Sequence, residues 1–145
     1  MHAQSATAAK TATDKTATDK TAPASLILLR EDVAGTAVLT LNQPQTRNSL
    51  SEAMLEALGD ALTAIAHDGS VRAVVLAANG PAFSSGHDLK ELTRHRADGD
   101  RGRAYFKHIM TTSSIMMQQI VTLPQPVIAA VQATATAAEI GRAHV

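Results

Sequence analysis

Apolar residues along the middle of this chain recur in two different periods, and they divide it into elements. Leu26 to Glu31 and Thr36 to Asn42 are short β-type runs separated by Asp-Val-Ala-Gly, which predicts an antiparallel hairpin. Leu55, Leu58, Leu62 and Ile65 then return at helical spacing, so a helix with one buried face is predicted. Ser49 and Glu52 have the spacing of a capping box at its start. Gly69 stands just past its end, where a left-handed cap is expected. The apolar run Val71 to Ala78 predicts a buried strand, which Asn79-Gly80-Pro81 ends. Arg94 to Arg103 is charged and contains glycine, and reads as a mobile loop. Tyr105 to Thr122 predicts a long helix with Ile109, Met116, Met117, Ile120 and Val121 inward. Leu123-Pro124-Gln125-Pro126 stops it, and Val127 to Val131 predicts another buried strand. The fold class is α/β.

The segment after Asn79-Gly80-Pro81 concentrates the candidate chemistry. Gly86 can take backbone angles closed to other residues. Asp88 suits an N-cap, and Leu89-Lys90-Glu91-Leu92 continues as a helix. Strand, glycine turn and helix start make a corner whose free N–H groups converge on one point outside it. Such a corner holds an anion, or an oxygen that gains negative charge during a reaction. It is also a common strand-to-helix connection with no chemistry attached. The Met-rich face of the long helix is likewise open between two roles, adaptable core and pocket wall.

Composition narrows the function classes. In 145 residues, 13 basic and 13 acidic side chains cancel, which points away from nucleic acid. The chain has no Cys, so disulfides and thiolate chemistry are excluded. His87, His95 and His108 lack ligand spacing and read as solvated or capping residues, so no metal is expected. The apolar runs are too short to span a bilayer, and no membrane partner is expected. Aromatics make up 2% of the chain, so the core must be built from Ala, Val, Leu, Ile and Met. After Met1 and His2, residues 3–24 are Ala, Thr, Lys, Asp, Ser and Gln apart from Pro23, with a repeated Thr-Ala-Thr-Asp-Lys, and residues 1–24 predict a disordered low-complexity tail. The tail has no apolar core region and is no secretory signal. It is compatible with a cytoplasmic protein or, as the alternative, with a presequence for the mitochondrial matrix.

Three stretches, in order, resemble the crotonase family, the enoyl-CoA hydratases and isomerases. Leu39-Thr40-Leu41-Asn42-Gln43-Pro44-Gln45-Thr46-Arg47-Asn48-Ser49-Leu50 is similar to that family's first strand and Asn-x-Pro loop. Phe83-Ser84-Ser85-Gly86-His87-Asp88-Leu89 is similar to its first oxyanion-hole segment. Leu123-Pro124-Gln125-Pro126-Val127-Ile128-Ala129 is similar to the strand before the second oxyanion segment. Where the family has a glycine run, this chain has Ala135-Thr136-Ala137-Ala138, a variant resembling the family's enoyl-CoA hydratase domain-containing branch.

The resemblance implies a crotonase-type ββα spiral, of which residues 25–138 form the N-terminal part. It implies an acyl-CoA or enoyl-CoA substrate of fatty-acid metabolism and no further cofactor. The backbone N–H groups of His87 and Ala138 become the two oxyanion donors for the thioester oxygen. Arg47, Ser49, Ser85, His87, Asp88 and Leu89 line the CoA site. The full-length parent is expected to be a homotrimer or hexamer. Residues 139–145, Glu-Ile-Gly-Arg-Ala-His-Val, fit no continuation of the family and look like translated sequencing adapter, so they are expected to be non-native. The family's hydratases use two glutamates. The first would fall at Gly141 and the second past Val145, while Glu139 sits at a glycine position. This chain alone is therefore expected to be inactive. Two other readings stay open, a non-catalytic acyl-CoA-binding member of the same fold and a small α/β interaction domain. A serine esterase is disfavoured because no Gly-x-Ser-x-Gly elbow is present.

Overall fold

Ala34 and Gly35 both take left-handed backbone angles, φ 49° and 82°, and so close a two-residue turn of the kind that matches strand twist. The turn joins β1 (Leu28–Val33) to β2 (Thr36–Leu41) in antiparallel register from Leu28 opposite Leu41 to Val33 opposite Thr36. The computed structural model describes residues 26–136. The low-complexity leader, Ala137, Ala138 and the 139–145 segment lie outside the described residues. Along β2 the side chains alternate, and Ala37, Leu39 and Leu41 are buried.

From β2 the chain crosses through α1 (Glu52–Ala66) to β3 (Ala73–Ala78), which pairs parallel to β2. It crosses again through α2 (Leu89–Arg94) and α3 (Arg103–Thr122) to β5 (Val127–Ala129), parallel to β3. The sheet order is β1-β2-β3-β5. Two hairpin strands, then helix and strand in alternation, is the ββα organisation expected, and the architecture is α/β. The helices form a layer in which α1 buries Met54, Leu55, Leu58, Leu62 and Ile65. α3 packs along α1 and buries Ile109, Ser113 and Met116. Gln125, the polar residue of Pro-Gln-Pro, is buried and donates to the carbonyls of Ile65 and Val71, tying the end of α1 to the approach to β3.

Several sequence expectations are corrected. The N-cap of α1 is Ser51, whose hydroxyl accepts from Met54 N at 3.2 Å, not Ser49. Two serines flank Leu50, and the later one takes the cap because Ser49 is drawn to Asp88. Gly69 is not among the left-handed glycines. α1 ends at His67, whose N–H reaches the carbonyls of Ala64 and Ile65, and Asp68 then turns the chain by accepting from Ser70 N. Arg94 to Arg103 contains a 3-10 turn over His95–Ala97, and the Asp100 carboxylate caps Gly102 N and Ala104 N at the start of α3. Val121 is 82% exposed, because α3 turns its other face to α1. The last strand of the sheet is shorter than expected, and Ile128 is 58% exposed on it, since β5 is an edge with a partner on one side only among the described residues. The small second sheet was not expected: β4 (Ala82–Ser84) pairs parallel to β6 (Thr134–Ala135). The core is aliphatic as composition required, apart from Phe83, which is fully buried on β4. Met116 belongs to that core.

Candidate functional site

The loop after β2 and the corner after β4 lie side by side and lock together. A 3-10 turn over Pro44–Thr46 leads into Arg47 and Asn48, both left-handed at φ 53° and 51°. Asn48 is fully buried, and its side chain satisfies three backbone groups. Its Oδ1 accepts from Gln43 N at 2.8 Å, and its Nδ2 donates to the carbonyls of Asn79 and Ala82 at 2.8 and 2.9 Å. Gly80, at φ 93°, sits where a Cβ would strike Pro44. The loop is thus pinned to the link between β3 and β4.

The corner follows. Ser84 Oγ donates to the Asn48 carbonyl at 3.0 Å and accepts from Gly86 N at 3.2 Å. Ser85 N donates to the Arg47 carbonyl at 3.0 Å. Gly86 is left-handed, φ 79°, as its place in the turn requires. Leu50 makes a parallel bridge to the corner. Its N–H donates to the Gly86 carbonyl at 2.8 Å, and its carbonyl accepts from Asp88 N at 3.4 Å. Both bonds flank His87, so the backbone N–H of His87 is turned away from the bridge and has no acceptor among the described residues.

Asp88 caps α2. Its Oδ1 accepts from Lys90 N at 2.9 Å and Glu91 N at 3.1 Å, while its Oδ2 accepts from Ser49 Oγ at 3.1 Å. The imidazole of His87 is half-buried, and its Nε2 lies 3.1 Å from Ser113 Oγ on α3. Burial holds the His87 pKa below the usual 6.5, because the charged ring loses hydration there. Burial therefore favours the neutral ring.

Ser49, Ser85, His87, Asp88 and Leu89, with Thr46 and Lys90, line one cleft of about 260 Å³. Arg47 faces a neighbouring cleft of about 280 Å³ together with Ser84, Ser85, Thr134 and Thr136. Ser85 belongs to both, so the sequence-predicted set is brought together around one corner but divided between two hollows. Ala138 lies outside the described residues. His95 stacks on Tyr105 with ring centres 3.6 Å apart and bonds Asp98, and His108 bonds Glu52. The Tyr105 hydroxyl lies between Glu52 and Glu91, and burial together with these carboxylates pushes its pKa up to about 12.

Two residues of the site were missed at the sequence level. The buried network of Asn48 has no periodic signal, because it serves an irregular loop. Ser113 did have one: it stands four residues after Ile109 and three before Met116, a polar residue on the inward stripe of α3.

The enoyl-CoA hydratase/isomerase family model matches residues 31–141. Enoyl-CoA hydratase domain-containing protein 3, mitochondrial, of Rattus norvegicus is 40% identical over 72% of this chain and 33% of its own length. The Homo sapiens protein of that name has the same identity and coverage. The crystal structure of enoyl-CoA hydratase from Mycobacterium smegmatis superposes with a TM-score of 0.65 at 49% identity, over 72% of this chain and 39% of that one. The structure of human enoyl Coenzyme A hydratase domain-containing protein 3 superposes with a TM-score of 0.67 at 36% identity, over 74% and 40%. This chain spans about a third of the length of the curated relatives it matches.

Proposed function

This chain belongs to the enoyl-CoA hydratase/isomerase family, and on that premise we propose that its corner holds the thioester oxygen of an acyl-CoA or enoyl-CoA substrate. The observation that carries the proposal is the His87 N–H, unpartnered among the described residues while Leu50 clamps the groups on either side of it. A preorganised donor of this kind stabilises an oxygen that gains charge, since it needs no reorganisation as the charge develops. The N–H of Ala138 is the second donor in this reading. The substrate brings its own CoA, and no other cofactor is called for. In the whole protein the chemistry is that of a hydratase or isomerase of fatty-acid metabolism, and the assembly is a trimer or a pair of trimers. The word mitochondrial in the names of the rat and human relatives supports a mitochondrial location, of which the matrix is the compartment proposed here, ahead of the cytoplasm.

Arg47 is the proposed partner for a phosphate of CoA. It is exposed, lines the hollow beside Ser85 and carries no ion pair among the described residues. Its guanidinium matches phosphate oxygens in a bidentate geometry. Exposure limits its worth, since water and salt screen such pairs. Arg47→Ala is expected to weaken crotonyl-CoA binding about threefold to tenfold at low salt, and less at high salt. Titration calorimetry at two ionic strengths measures this, and equal affinities of variant and parent would remove Arg47 from the site. The proposal as a whole is tested by the same titration with the unsubstituted chain. Crotonyl-CoA is expected to bind more tightly than free CoA, because only the thioester presents an oxygen to the corner. No binding, or no preference for the thioester, would refute it.

A further inference from the structure

The two edges of the four-stranded sheet are built differently. β1 carries Arg30, Glu31 and Asp32, all exposed, and charges of this kind discourage another strand from adding there. β5 has no such guard. From His108 to Ala138 the chain contains no Asp, Glu, Lys or Arg. Ile128 on β5, Val121 at the end of α3 and Val131 just past β5 are exposed apolar side chains. Val121 and Ile128 line a hollow of about 430 Å³ together with Gln125, Val127 and Ala129. Gln125 keeps one buried oxygen, Oε1, without a partner among the described residues, and an unpaired buried acceptor is costly. These features mark a surface that is incomplete until it is covered.

The backbone of β5 is half used. Val74 N donates to the Pro126 carbonyl and Ala130 N to the Leu76 carbonyl, on either side of the pair Val75 and Ile128. Pro126, Ile128 and Ala130 therefore face β3. The N–H and C=O groups of Val127 and Ala129 point out of the sheet edge and have no partner among the described residues. These groups are complementary to themselves. An antiparallel second β5, placed with Ile128 opposite its own copy, sets Val127 opposite the partner's Ala129 and Ala129 opposite the partner's Val127. Each of these pairs exchanges both its hydrogen bonds, and the Ile128 pair between them is the close, non-hydrogen-bonded kind. Two β-branched side chains meet there, a favourable cross-strand contact.

We propose that the open edge of β5 pairs two copies of this 145-residue chain, antiparallel about Ile128, into one continuous sheet. A second copy is favoured over a foreign strand because the register matches itself, closes after two chains and buries no charge. The pairing belongs to the chain as it stands. It is independent of the oxyanion reading and of the assembly proposed for the whole protein.

The test is sedimentation equilibrium of the 145-residue chain from about 1 to 200 μM, the range in which a small interface dissociates. A monomer–dimer equilibrium with a Kd on the order of 10 μM is expected, with nothing larger. Ile128→Lys sets like charges opposite each other and should raise that Kd tenfold or more, as should Ile128→Glu. An equimolar mixture of the two variants should dimerise again. Ile128 is exposed in the single chain, so both variants should keep the melting temperature of the parent at concentrations where it is monomeric. The chain has no Cys, and across such a pair the Cα atoms stand about 4.5 Å apart, within disulfide reach. Ile128→Cys should therefore give a covalent dimer on mild oxidation, and Leu29→Cys, on the β1 edge, should not. A monomer throughout the range, a dimer indifferent to Ile128→Lys, or growth into larger species overturns the inference. So does capture of the C-terminal portion of the Mycobacterium smegmatis enoyl-CoA hydratase in place of a second copy, which would assign the edge to the rest of the domain.

Discussion

Gly86→Val is expected to abolish the preference for the thioester over free CoA and to lower crotonyl-CoA affinity tenfold or more, which is about 1.4 kcal/mol. Gly86 has φ 79°, a region in which a β-branched residue is a steric outlier. Its N–H is held by Ser84 Oγ and its carbonyl by Leu50 N, so the strain cannot be relieved without breaking one of these bonds. Whichever breaks, the peptide that presents the His87 N–H rotates. His87→Ala removes a side chain but keeps that peptide, and should bind within about threefold of the parent, a difference under 1 kcal/mol. Titration calorimetry of both variants measures the contrast. Loss of binding in His87→Ala with Gly86→Val unaffected would invert the assignment.

Asn48→Asp is expected to destabilise the fold by about 3–5 kcal/mol at pH 7, a large part of the roughly 5–15 kcal/mol available to a domain. The substitution keeps the acceptor for Gln43 N but replaces the Nδ2 donor with a carboxylate oxygen. That oxygen then faces the carbonyls of Asn79 and Ala82 in a fully buried site. Burial and the two carbonyls raise the pKa of such a carboxyl in the folded state above its unfolded value. Protonation is therefore favoured by folding, and the penalty should shrink as pH falls toward the unfolded carboxyl range. Urea melts at pH 7 and near pH 4 read this directly. A penalty independent of pH would mean that the site relaxes open. Asn48→Ala, which leaves all three backbone groups unpaired, should show a similar loss with no pH dependence.

The parts of the fold set by local periodicity were legible. The hairpin, α1, β3 and α3 follow from alternation and helical spacing, and the corner followed from Gly86 and Asp88, whose φ and cap are as the residue types require. What could not be read was set by long-range pairing. β4 is three residues long and is defined by β6, some fifty residues later in the chain, so no window around Phe83 contains the cause of its strand. Ser49 and Ser51 offer the same capping chemistry, and only the position of Asp88 decides between them. Val121 and Ile128 look like core residues by type, but the sheet edge and the outer face of α3 leave them exposed. The division of Arg47 from the other site residues likewise depends on where β6 lies, beside Ser84.

Replacing the amide at residue 87 with an ester, by incorporating the α-hydroxy analogue of histidine, removes the N–H of His87 and leaves its side chain in place. The ester also weakens the Gly86 carbonyl that accepts from Leu50 N, so a matched stability of the two forms is checked first; the carbonyl stretch of crotonyl-CoA, labelled at C1 and bound to the chain, then reports the loss of the His87 donor. The account predicts a shift of that stretch to lower frequency in the amide form, a clear but partial return toward the solution value in the ester form, in which the proposed Ala138 donor remains, and similar affinity of both forms for free CoA. An unchanged shift in the ester form would contradict it, because the thioester oxygen would then be held by something other than the His87 N–H.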